Sequence, residues 1–185
     1  MAEKNFLQDR EAPVRKQIPA KYFNEDESSR PASVLISKPV SEVWAFIRDL
    51  SNMPKFIRGL SRVEMIDETH SRWVFDHKGE HLENDSVIIN EEPESLLVWR
   101  ATTGHPHVGA ISLEEAPGGR GTFVSMRTSR DSQHGKVTGV LSWYFGGDPK
   151  SASYVNLRRL KAYMETGEVP TVEGQSNGRE QELTH

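Results

Sequence analysis

Two histidines flank a short turn: His77 and His81 stand on either side of Lys78-Gly79-Glu80, with Asp76, Glu83 and Asp85 close by. If the turn closes a hairpin, the imidazoles face each other across it. Removing water from a hydroxy-ketone needs such a pair, one group taking a proton and the other giving one. The same residues on a solvated hairpin do no chemistry, so both readings stand. His105-Pro106-His107 has the spacing that puts two metal ligands on one face of a strand. Pro106 argues against a central strand and no third ligand is near, so the pattern reads as an exposed loop at the mouth of a pocket, and no metal is assigned.

Residues that could bind rather than react are better ordered. Trp73 and Phe75 alternate with Arg72, Val74 and Asp76, which gives one strand an aromatic face. On the next strand Leu82, Asn84, Ser86 and Ile88 share a face, opposite His81, Glu83 and Asp85. The carboxylates belong in water, because an unpaired buried charge is expensive. That turns Asn84 and Ser86 inward as neutral hydrogen-bonding groups in an apolar lining. A ligand carbonyl or hydroxyl suits them, and bound water or a mutual hydrogen bond satisfies them equally. Gly118-Gly119-Arg120-Gly121 is glycine-rich but lacks the following helix of a phosphate-binding loop, and reads as a hairpin turn.

The elements that must position these groups follow from pattern. Ser33 to Ile36 is a short strand ended by Lys38-Pro39, after which Val40, Val43, Trp44 and Ile47 recur at helical spacing. A second helical turn is expected over Ser51 to Ile57, capped by Ser51 and stopped by Gly59. Six strands follow, over 60–66, 72–77, 82–90, 96–101, 108–114 and 122–128, separated by turn residues and therefore antiparallel. Pro149 in the first turn and Gly167 at the end bound a long helix with Ser153, Leu157, Leu160 and Met164 on one face. Between the last strand and that helix, Val137 to Phe145 is too apolar for a plain loop. It reads as a lid, a membrane-touching edge or a packing segment.

A curved antiparallel sheet needs a cover for its apolar face, and only the long helix is large enough. One helix over a strongly curved sheet leaves space, so an internal cavity is expected. Composition agrees: of 185 residues only 35% are hydrophobic and 27% charged, with mean hydropathy -0.63. The shortfall is assigned partly to two polar, disordered tails, 1–31 and 173–185, around a domain over 32–172. The absence of cysteine excludes thiol catalysis and thiolate metal sites, and a net charge of -4 gives no footprint for nucleic acid. No membrane-spanning run or secretory signal is visible, so a cytoplasmic location is expected, with transient membrane contact the most the chain would make.

The chain resembles the START-like (SRPBCC, helix-grip) superfamily, in its polyketide cyclase/dehydrase and coenzyme-Q-binding branch. The resemblance rests on residues 39–50 (PVSEVWAFIRDL) running into Met53-Pro54, then Ser71-Arg72-Trp73-Val74, Val98-Trp99-Arg100, 118–124 (GGRGTFV), 156–161 (NLRRLK) and Glu165-Thr166-Gly167-Glu168. It implies an α+β helix-grip fold: a curved seven-stranded antiparallel sheet around a long C-terminal helix, enclosing a hydrophobic cavity. It also implies a lipid, quinone or polyketide-like ligand, and it transfers no catalytic residue. The expectation is therefore a non-catalytic protein that binds or transports a hydrophobic small molecule, without a cofactor. The lining is expected to include Trp73, Phe75, Asn84, Ser86, Val98, Met126, Leu157 and Met164. A cyclase/aromatase or dehydratase is the alternative, and an interaction module of the co-chaperone type is the third reading. An inward histidine or carboxylate beside an inward arginine favours chemistry, a neutral lining favours carriage, and a filled interior favours the interaction module.

Overall fold

The computed structural model describes residues 17–23, 31–77, 79–104, 107–130 and 149–169. The apolar segment Val137 to Phe145 lies outside the described residues, as do His105, Pro106, most of the expected N-terminal tail and all of the expected C-terminal one. The chain forms β1 (Ala32–Ile36), α1 (Val40–Arg48), a 3-10 turn (Leu50–Asn52), α2 (Met53–Phe56) and β2 (Leu60–Met65). It continues with β3 (His70–His77), β4 (Glu80–Glu92), β5 (Leu96–Ala101), β6 (His107–Glu115), β7 (Thr122–Arg130) and α3 (Pro149–Thr166). The seven strands make one antiparallel sheet in the order β1-β7-β6-β5-β4-β3-β2. The two helices after β1 carry the chain from one sheet edge to the other, and the hairpins bring it back. Bulges between Leu60 and Arg62 and between Ile88 and Asn90 bend the sheet, since an extra residue on one strand kinks it locally.

One local assignment changes. The turn before α2 is capped by Asp49, not Ser51: the Asp49 carboxylate accepts from Ser51 N at 3.0 Å and from Ser51 Oγ at 2.6 Å. Asp49 wins because its backbone is extended where the chain leaves α1, the conformation an N-cap needs. Gly59 does end the segment, with φ 81°.

α3 is 18 residues, about 27 Å at 1.5 Å per residue, and ends as expected: Gly167 has φ 80° and its N–H donates to Tyr163 O at 2.8 Å. It lies against β1, β7 and α2. Ser153, Asn156, Leu157 and Leu160 are its buried residues, and Met164 packs partly buried beside them. Polar contacts fix its register. Arg159 Nε donates to Phe56 O at 3.0 Å, Lys161 Nζ to Leu35 O at 2.6 Å, and the Asn156 Oδ1 accepts from Arg58 N at 3.0 Å. Among the described residues no helix is long and apolar enough to cross a membrane.

Residues 17–23 depart from the expected tail. They form a 3-10 turn (Ala20–Tyr22) whose neighbours Ile18 and Phe23 are buried against Leu96, Val98 and Ala110, on the sheet face away from α3. The reason is legible in β5, where Leu96, Leu97, Val98 and Trp99 are all buried. A strand apolar on both faces needs a cover on both.

Candidate functional site

The face of the sheet turned to α3 is built by alternation. It carries Trp73 and Phe75 from β3, Asn84 and Ser86 from β4, Leu97 and Trp99 from β5, Ile111 and Leu113 from β6, and Val124 and Met126 from β7. The rings of Trp73 and Trp99 stack at 5.6 Å between centroids with 21° between planes, and Phe75 continues the row 6.5 Å from Trp73. This aromatic wall is closed: Trp73, Phe75, Met126 and Leu157 are at most 1% exposed. Contact with a bound molecule there requires side chains to move.

Beside the wall runs a row of polar groups. Cross-strand pairing joins Ser71 to Ser86 and Ser86 to Ala101. His107 opens β6 paired with Arg130, and alternation puts it on the face shared with Gly109 and Ile111. Ser71 Oγ accepts from Trp73 Nε1 at 2.9 Å. Ser86 is fully buried, and its Oγ has no hydrogen-bond partner among the described residues. Asn84, 1% exposed, lies under Gly104, where a Cβ would come within 1.9 Å of the Asn84 Oδ1. Gly104 also has φ 70°, so this close approach needs glycine twice over.

Three expectations about these residues fail. Val98 does not line this face, because alternation with Leu97 and Trp99 turns it to the opposite side, where it packs with Ile18 and Phe23. His77 and His81 are not cross-strand partners, since the register pairs His77 with Glu80 and His81 with Asp76. His81 is an exposed outer-face residue. Its Nδ1 lies 2.7 Å from Asp76 Oδ1 and its Nε2 3.1 Å from Glu83 Oε1, and the hydrogen bond to Asp76, then that to Glu83, raise its pKa. On the same face Arg72 pairs with Asp85 at 2.8 Å and holds that carboxyl below its ordinary range. Finally, His107 is not in an exposed loop. It opens β6 and is 8% exposed.

Sequence reasoning missed Trp99, Ser71 and His107 as members of this site. Trp99 was visible as a residue, but its neighbours come from other strands; Ser71 stands two residues before Trp73 on the same face of β3, a spacing that could have found it. Among the described residues no group of three or more metal-ligating side chains comes together. A cleft of about 360 Å³ opens elsewhere, between the β1–α1 junction and the β6–β7 turn, lined by Lys38, Val40, Glu115, Arg120 and Gly121 among others. The glycine turn is thus one wall of a cleft, as well as the hairpin connection the sequence suggested.

Comparison with known proteins adds the following. The family model described as polyketide cyclase / dehydrase and lipid transport matches residues 36–159, about two thirds of the chain. A Streptomyces lincolnensis protein, an uncharacterized 17.2 kDa product of the melC2-rnhH intergenic region, is 24% identical over 79 residues, covering 43% of this chain and 53% of that protein. The chain thus spans about half the length of the curated relative it matches. A crystal structure from Deinococcus radiodurans shares 26% identity over 74% of this chain and 97% of that one, with a TM-score of 0.58. The di-domain ARO/CYC StfQ of the steffimycin biosynthetic pathway shares 17% identity over 74% of this chain and 50% of that one, with a TM-score of 0.56. That second likeness is one of fold.

Proposed function

Because the chain belongs to the polyketide cyclase / dehydrase and lipid transport family, we propose that it binds a hydrophobic small molecule carrying a hydrogen-bonding oxygen. The apolar body of the ligand lies against Trp73 and Trp99, and its oxygen meets Ser86. One observation carries this reading: the Ser86 hydroxyl is fully buried without a partner among the described residues, inside an otherwise apolar wall. A buried hydroxyl left unmatched costs free energy, and a ligand carbonyl or hydroxyl removes that cost. Asn84 and Ser71 flank it with further neutral groups. Mass spectrometry of natively purified protein should find an oxygen-bearing apolar molecule, and quinones should displace a hydrophobic dye. Repeated preparations holding nothing apolar, with no dye binding, would overturn the reading.

A second reading, chemistry on the bound molecule, is favoured by His107 alone. It is a buried titratable side chain on the same sheet face as Ser71 and Ser86, from which a proton is exchanged with a ligand oxygen. In that case the reaction is a cyclisation or dehydration, and His107→Gln should abolish turnover while changing ligand affinity little. Turnover that survives the substitution would remove the reading. The His81 cluster supports no such role, since it lies on the opposite face of the sheet.

A further inference from the structure

The cross-strand pair Val98 and Ala110 faces outward, and the adjacent pair Trp99 and Gly109 faces the proposed site. The outward pair is covered by residues 17–23. Ile18 and Phe23 are buried on Leu96, Val98 and Ala110, with Tyr22 and Val108 packed at the margin. The Arg127 guanidinium lies 4.1 Å from the centre of the Phe23 ring, and Phe23 N–H donates to Ala20 O at 2.9 Å, closing the turn. We infer that residues 17–23 are a strap that sets the ligand site through the sheet, with Ile18 and Phe23 as positioning residues for Trp99.

The coupling is mechanical. Val98 and Trp99 are consecutive, as are Ala110 and Gly109, so β5 and β6 cannot shift under the strap without moving the Trp99 ring. That ring has no slack: a Cβ on Gly109 would come within 2.2 Å of Trp99 Cζ2. Trp99 in turn stacks on Trp73. A closed strap therefore holds the aromatic wall shut and aligned, and an open strap loosens it. Two buried side chains are a small anchorage, so the strap and the strand pair beneath it are expected to open together, ahead of the rest of the sheet. The inference rests on the proposed ligand site for its functional meaning, although its structural half stands apart from it.

The test uses the full chain carrying Ile18→Ala and Phe23→Ala. Hydrogen exchange in β5 and β6 should quicken at least about tenfold with β2 and β3 unchanged. The far-ultraviolet circular dichroism couplet of the stacked Trp73 and Trp99 should shrink, and anilinonaphthalene sulfonate affinity should change several-fold. Ile18→Leu with Phe23→Tyr should restore all three, and the unchanged exchange of β2 and β3 separates a strap effect from a general loss of stability. Released strap residues with unchanged β5–β6 exchange and an unchanged couplet would overturn the inference. If the double variant does not fold, exchange of the unmodified chain in low denaturant decides: strap and β5–β6 should open in one step, and separate steps overturn it. Absence of dye binding in every form counts against the ligand reading, while exchange and the couplet still decide the strap.

Discussion

The Trp99 ring lies flat over Gly109, its cross-strand partner, leaving no room for a single methyl group between them. Glycine is required here by a neighbour rather than by its own backbone angle. Gly109→Ala should push Trp99 off its stack with Trp73 and destabilise the domain by about 1–3 kcal/mol, as overpacking of a core does. Thermal unfolding and tryptophan fluorescence together check this; a shift in one without the other would separate stability from ring placement.

The two serines of the polar row should behave oppositely. Ser86→Ala removes a buried hydroxyl that has no partner among the described residues, so the ligand-free protein should be stabilised, by about 1 kcal/mol. Affinity for an oxygen-bearing ligand should fall about tenfold, with a hydrocarbon analogue unaffected. Ser71→Ala leaves the buried Trp73 Nε1 without its acceptor and should cost about 1–3 kcal/mol. Denaturant unfolding beside dye displacement measures both.

Asp67 gives an acid-side marker. Its carboxylate accepts from Thr69 N at 2.8 Å and His70 N at 2.7 Å, and these backbone bonds lower its pKa to about 2. A depressed folded pKa contributes stability above the ordinary value, lost as pH falls toward 2. The side-chain carboxyl carbon of Asp67 should therefore titrate with a midpoint near 2, and Asp67→Asn should remove that acid-side loss from the β2–β3 turn.

His81 gives the opposite sign. Its pKa is raised by Asp76 first and Glu83 second, so its contribution is present below the ordinary histidine value and is lost as pH rises through the raised one. Nuclear magnetic resonance titration should place its midpoint above that of an unperturbed histidine, and Asp76→Asn with Glu83→Gln should return it. Ligand binding should not follow this titration, because His81 lies across the sheet from the site.

Much of the scaffold was legible. The six strands of the middle fall within a few residues of the expected spans, because turn residues and period-two alternation are local signals. α3 was bounded by Pro149 and Gly167 for the same reason. Local signals also misled: Ser51 looked like a cap, yet Asp49 is the residue whose backbone and carboxylate meet the helical N–H. Within β4 the inward placement of Asn84 and Ser86 followed from the cost of burying Glu83 and Asp85.

Across strands the sequence was silent. Register decided that His81 meets Asp76 rather than His77, that His107 shares a sheet face with Ser86, and that Trp99 stacks on Trp73 over Gly109. A one-residue slip would reverse every one of these, and nothing in a single strand reports its neighbour's offset. Val98 shows the same limit, since an apolar residue on a strand buried on both sides carries no mark of which side it faces. The polar shortfall of the chain points to tails and a hollow core. Tertiary structure placed Ile18 and Phe23, in the midst of a polar segment, as the cover of a sheet face. The sequence by itself determined which elements form and where they end, because those depend on residues within a few positions of each other. Only the tertiary structure decided which side chains make the site and what holds them there, because that depends on pairing between strands and on a segment some 75 residues away from the strand it covers.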